Sequence, residues 1–173
     1  SDTGSVRLGT SASVNVSAQV GGGDAGIIQV KAPLGIFDLK GLISGAAGST
    51  GTTGAFALDI ASVANSSLAA LDSTLNAGSF TRSRDYRIRN GNVIIDGPAT
   101  ARNYRVAADS GSITVTSTIN ASGTTGGIID LKAQGSLTLL GGSRLNTSAQ
   151  QFDSAGKGGS VTLEAGNQRN GLI

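Results

Sequence analysis

The residues best suited to chemistry in this chain are cations. Arg82, Arg84, Arg87, Arg89, Arg102 and Arg105 crowd into one short stretch, with Asp85 and Asp96 interspersed. Guanidinium forks match sulfate and carboxylate groups, so the cluster reads as a docking strip for an anionic glycan or an acidic partner. Tyr86 and Tyr104 could add stacking surfaces, although both fall at inward positions. The plainer reading is a solvated outer face that discourages edge-to-edge pairing of chains. A formal charge of +2 is too small to argue for nucleic acid.

The acids are more dispersed. Asp24, Asp38, Asp59, Asp85, Asp96, Asp109, Asp130, Asp153 and Glu164 come about one per strand or turn. Glycan cleavage needs carboxylates close together on one face. The chain has neither His nor Cys, which removes the commonest general base, the commonest metal ligands and thiolate nucleophiles. The expectation is therefore no enzyme, no cofactor and no metal site. A polysaccharide-cleaving enzyme is the alternative from another class, because stacking can align acids that are scattered in sequence. Gly21-Gly22-Gly23-Asp24 lacks the spacing of a calcium-binding nonapeptide and reads as a turn. Sequons stand at Asn15, Asn65, Asn120 and Asn146, but a chain rich in Asn, Ser and Thr produces such matches readily, and they carry no expectation.

Short alternating strands must position these groups. Residues 111–166 contain four runs in which Ile113, Val115 and Ile119, then Ile129 and Leu131, Leu137 and Leu139, and Val161 and Leu163 alternate with polar residues. A period of two sends alternate side chains inward. Gly, Asn and Ser turn the chain between the runs. Gly26–Ala32 (GIIQVKA) is repeated nearly letter for letter as Gly127–Ala133 (GIIDLKA), and Gly54–Leu58 stands downstream where Gly159–Leu163 stands in the second copy. A recurring strand unit that cannot bury its apolar face alone is a stacked repeat.

At about 20 residues per coil the sequence predicts a single parallel β-helix over 1–173, of about eight coils and near 40 Å long. Residues 45–54 read as a loop. Residues 62–78 break the pattern: Leu68, Leu71 and Leu75 have helical spacing, Asn65 or Ser66 can cap the start and Gly78 the end. They predict one short helix around 65–77, carried beside the stack. No apolar run approaches the ~18 residues of a membrane span. The ends show no polar cap, so the chain is expected to be a segment of a longer protein.

The stretch 80–133 resembles segments of filamentous-haemagglutinin-like bacterial exoproteins of the two-partner-secretion type. The resemblance rests on Arg87–Gly91, Ala107–Ile113, Ile119–Gly123 and Gly126–Leu131. It implies a right-handed parallel β-helix and an adhesive or structural role, secreted or at the bacterial cell surface. It also implies an outer-membrane transporter for export of the parent protein, and a surface glycan or protein as partner. A self-assembling filament of end-to-end copies is the alternative within the same fold.

Overall fold

The computed structural model describes residues 4–151 and 157–166; Asp153 and the stretch after Gly166 lie outside them. Among the described residues the alternating runs form sixteen strands, all paired in parallel, wound into a β-solenoid of about six turns. The first coil holds β1 (Val6–Leu8), β2 (Ser13–Asn15) and β3 (Ile27–Ala32). The second holds β4 (Phe37–Leu39), β5 (Leu42–Ser44) and β6 (Ala55–Ile60). The third contributes helix α1 (Ala69–Ala77) and β7 (Ser83–Ile88). The fourth holds β8 (Val93–Ile95), β9 (Ala99–Thr100) and β10 (Asn103–Ala108). The fifth holds β11 (Ile113–Val115), β12 (Thr118–Asn120) and β13 (Ile128–Ala133). The sixth holds β14 (Leu137–Leu139), β15 (Arg144–Asn146) and β16 (Ser160–Ala165).

One sheet runs the whole length, in the order β16-β13-β10-β7-β6-β3. The in-register step between its neighbours is 28, 28, 20, 25 and 32 residues from coil to coil. The expectation of about eight coils is thus corrected to about six, because the corners carry more chain than a minimal turn. The stretch 45–54 is one such corner, and it is not loosely held. The N–H groups of Ala18 and Ala25 donate to the carbonyls of Ala46 and Thr52, and Gly48 N–H donates to Gly23 O, so one corner stacks on the corner before it. Asp24 accepts from the N–H and the hydroxyl of Thr52 (2.7 and 3.0 Å), which hold its carboxyl below the ordinary range. Gly51 lies against the backbone of Gly23 so closely that a Cβ would collide with it.

The core is a set of inward columns. Ile28, Phe56, Arg84, Tyr104, Ile129 and Val161 occupy one column of the long sheet, and Val30, Leu58, Tyr86, Val106, Leu131 and Leu163 the next. Leu131 is fully buried while its outward neighbours Asp130 and Lys132 reach solvent. Leu131→Asp is therefore expected to bury an unpaired charge and cost more than about 4 kcal/mol. Asp130→Asn is expected to cost under about 1 kcal/mol. Thermal denaturation of both variants checks the register, and equal losses would show it wrong.

The sequons have a structural cause. In Asn15-Val16-Ser17, Asn120-Ala121-Ser122 and Asn146-Thr147-Ser148, each Asn side chain accepts the Ser N–H two residues on, at 2.9, 3.2 and 3.1 Å. Such Asx turns end the second strand of the coil. Asn120 and Asn146 lie in register, and Asn146 Nδ2 donates to Asn120 Oδ1 at 3.2 Å. For these three the motif recurs because the corner recurs.

The helix also differs from expectation. It is not beside the stack; it is a rung of it. In the third coil α1 replaces the two short strands and lies between β5 and β9, so that only the long sheet passes through uninterrupted. Small residues permit the fit: a Cβ on Gly97 would stand 2.7 Å from Ala69 Cα. The helix starts at Ala69, later than the spacing suggested. Asn65 and Ser66 do not cap it; they form a preceding turn with φ of 53° and 60°. The cap is shared between the local chain and the next coil: Ala69 N–H donates to Ser67 Oγ and to Asp96 Oδ1 (both 3.2 Å), and the Ser67 hydroxyl donates to Asp96 Oδ1 (2.7 Å). Gly78 ends the helix as expected, and Ser79 follows with φ of 63°. Among the described residues, the three non-glycine positions with positive φ all flank α1. Each costs on the order of 1 kcal/mol, so the rung needs a compensating contact.

Candidate functional site

Strand β7 decides where the arginines go. Its sequence SRDYRI alternates, sending Arg84, Tyr86 and Ile88 inward and Asp85 and Arg87 outward. Arg84 is 0 % exposed. It cannot belong to a docking strip, and its expected role there is corrected. Its partner is Asp72 of α1, also 0 % exposed. Asp72 lies four residues after Leu68 and three before Leu75, on the helix face turned to the core.

The resulting cluster is closed. Arg84 Nη1 donates to Asp72 Oδ1 (2.9 Å), Nε to the Phe80 carbonyl (3.0 Å) and Nη2 to Asn76 Oδ1 (2.6 Å). Tyr86 Oη donates to Asp72 Oδ1 (2.8 Å) and Tyr104 Oη to Asp72 Oδ2 (2.7 Å). Asn76 extends the cluster to the fourth coil: its Nδ2 donates to Pro98 O (2.8 Å) and its Oδ1 accepts Thr100 N–H (3.1 Å). The two rings meet edge to face with centroids 5.6 Å apart. Burial pushes the Asp72 carboxyl up, opposed by Arg84 and the two phenols; burial and the nearby carboxylate push both phenols well above their ordinary value. The inward placement expected of Tyr86 and Tyr104 is what the structure shows.

The other arginines are dispersed. Arg89 grips Asp59 with two bonds, Nε–Oδ1 at 2.6 Å and Nη2–Oδ2 at 2.8 Å, which hold that carboxyl below the ordinary range. Arg87 Nε donates to Asp109 Oδ2 at 2.9 Å. Arg102 clips the following corner through Thr125 O, Thr125 Oγ1 (2.7 Å) and Gly126 O (3.4 Å). Arg105 is exposed, in register between Asp85 and Asp130. Arg82 is half-buried at the entrance to β7 and exerts a minor pull on Asp24. The outer face of the long sheet is thus a ladder of alternating sign. One column reads Lys31, Asp59, Arg87, Ala107, Lys132, Glu164; its neighbour reads Gln29, Ala57, Asp85, Arg105, Asp130, Thr162. Where Ala57 interrupts the ladder, a shallow groove of about 180 Å³ opens between Gln29, Lys31, Asp59, Asp85 and Arg87.

The ladder can form ion pairs and hydrogen bonds with a polar surface. A general acid needs a raised pKa beside an open site; Asp24 and Asp59 are held low, and Asp72, whose carboxyl burial raises, is sealed in the core. Among the described residues no group of three or more acids is placed to hold a metal ion. Asp72 is an acid that the sequence reading does not single out. The signal was present: an acid on the apolar face of the helix, and a base at an inward position of the next strand.

The class defined by this architecture is the parallel β-solenoid with one helical rung. Comparison with protein-family models, with curated proteins and with solved structures finds no match to the chain.

Proposed function

We propose that the chain is a structural and adhesive segment of a bacterial β-helix exoprotein, secreted or held at the cell surface. The observation that carries this reading is the uninterrupted six-stranded sheet, which spends the described chain on a stiff column with a regular charged face. Its four inner strands pair with the coils on either side, about 4.8 Å away. A surface location is what the resemblance of residues 80–133 to filamentous-haemagglutinin-like segments would imply, and export of the parent would then use an outer-membrane transporter. Contact with an anionic glycan falls to Arg82, Arg87 and Arg105, the members of the cluster left at or near the surface outside the Arg89 and Arg102 clamps.

Retention on a sulfated-polysaccharide column is expected to fall steeply with salt, since exposed charges are screened within about 8–10 Å at 0.1–0.15 M. Replacing Arg82, Arg87 and Arg105 together by Gln is expected to abolish it. Retention unchanged by those substitutions would remove the glycan contact. Release of reducing ends from a panel of polysaccharides would overturn the non-enzymatic reading in favour of a glycan-cleaving solenoid.

A further inference from the structure

The outer face of the long sheet is complementary to itself. Its two charged columns run along the flank of the solenoid. A second copy, turned over about a twofold axis parallel to the strands, lays each column on its own reverse. With the axis midway between β7 and β10, β7 lies over the partner's β10 and β6 over the partner's β13. Asp85 then faces the partner's Arg105, and Asp59 faces the partner's Lys132, each pair formed twice. An axis on a strand fails. Centred on β7 it sets Arg87 against Arg87. Centred on β10 it sets Arg105 against Arg105, Arg87 against Lys132 and Asp85 against Asp130.

The sizes agree as well as the signs. The small residues of the inner rungs are Ala57 and Ala107. About the same axis Ala107 faces the partner's Arg87, and Ala57 faces the partner's Asp130. The groove of about 180 Å³ at Ala57 thus receives a carboxylate, with Gln29, Lys31 and Arg87 on its walls as donors. Asp59 on that wall is already gripped by Arg89, and Asp85 is turned to the partner's Arg105. Asp130 has acceptor capacity to spare: its Oδ1 has no hydrogen-bond partner among the described residues, and its Oδ2 lies 3.8 Å from Lys132 Nζ. Asp85 and Arg105 are exposed neighbours in register, yet among the described residues neither forms an ion pair or a hydrogen bond.

We propose that two copies of this chain dock face to face through the flank of the long sheet, antiparallel, about this twofold axis. Such docking needs a self-complementary patch, and a ladder of alternating sign supplies one that an unrelated protein would not match. Packed sheets lie about 10 Å apart, a gap that long side chains from both faces span. Six strands of six residues give a face of about 500 Å² per copy, or about 1,000 Å² in all, the size of a weak, reversible dimer. The face also carries Arg87 and Arg105, so a bound polyanion and a second copy compete for it. The docking itself does not rest on glycan binding.

Sedimentation equilibrium is expected to show association that stops at two copies and weakens with salt, because exposed pairs are screened. Arg105→Glu and Asp85→Arg each set like charges together at both symmetry-related places. Each is expected to raise the dissociation constant at least about ten-fold, with unchanged circular dichroism. Ala57→Glu, which puts a like charge in the groove opposite Asp130, is expected to weaken the dimer to a similar degree. Mixing the Arg105→Glu and Asp85→Arg chains is expected to restore the original affinity, since the mixed dimer pairs the two reversed charges with each other and keeps one native pair. A chain that stays monomeric at its highest soluble concentration would overturn the proposal. So would a dimer that the single reversals leave intact, or one that mixing fails to restore.

Discussion

Asp72→Ala is expected to lower the unfolding free energy by about 3–5 kcal/mol, the usual cost of breaking a buried ion pair from one side. The variant leaves Arg84 in the core with no counter-charge, and arginine cannot discharge itself by losing a proton. It also strips Tyr86 and Tyr104 of their shared acceptor. Arg84→Met behaves differently, because a carboxylic acid can neutralise. In that variant the folded pKa of Asp72 lies above its unfolded value. Its contribution is then fully present below the unfolded pKa and lost as pH rises through the folded one. Arg84→Met is therefore expected to unfold at higher temperature near pH 4 than near pH 7. Replacing both partners by apolar residues is expected to recover much of the loss, since desolvation of the pair offsets most of its attraction. Urea denaturation of the three variants at two pH values measures all of this. Losses under 1 kcal/mol in every variant would mean that the cluster does not hold the rung.

The second large effect lies at alkaline pH. The chain has two tyrosines, and both are in the buried cluster. Their folded pKa values stand well above 10, raised first by burial and then by Asp72, while the unfolded chain titrates them near 10. The stability they contribute is therefore complete below pH ~10 and is lost as pH rises beyond it. The slope is about 1.4 kcal/mol per pH unit for each phenol, about 2.7 for the pair. Phenolate absorbance is expected to stay absent through pH 10 and then appear in one step together with loss of the β-sheet signal. A gradual phenolate rise near pH 10 in folded protein would show an open cluster.

The parts legible in the sequence were those set by local periodicity. Alternation placed Ile113, Val115, Ile119, Ile129 and Leu131 in the core. The repeated phrase found β3 and β13, each followed one coil later by its expected neighbour, β6 or β16. Coil number was less legible, because corner length is set by corner-on-corner packing such as that of 45–54, which no local pattern reports. The helix was visible in its leucines, but its place as a rung depended on distant contacts: Asp96 at its start, and Pro98 and Thr100 at its end. Within the arginine cluster, proximity in sequence does not show that Arg84 is buried. Strict alternation over β7 separates Arg84 from Arg87, and the parallel register then sets Asp59, Asp85, Asp109 and Asp130 among the remaining arginines.

The account stands on one geometric claim, that six strands stack in unbroken register. The most direct test is the distance between nitroxides at Gln29→Cys and Thr162→Cys, outward positions on the first and last strands of the long sheet. Labelled chain would be diluted in excess unlabelled chain, so that only separations within one molecule are read. Five intervals of about 4.8 Å predict a single narrow distribution centred about 24 Å. A broad distribution, or a mean beyond about twice that value, would contradict the stacked column and the functions proposed for it.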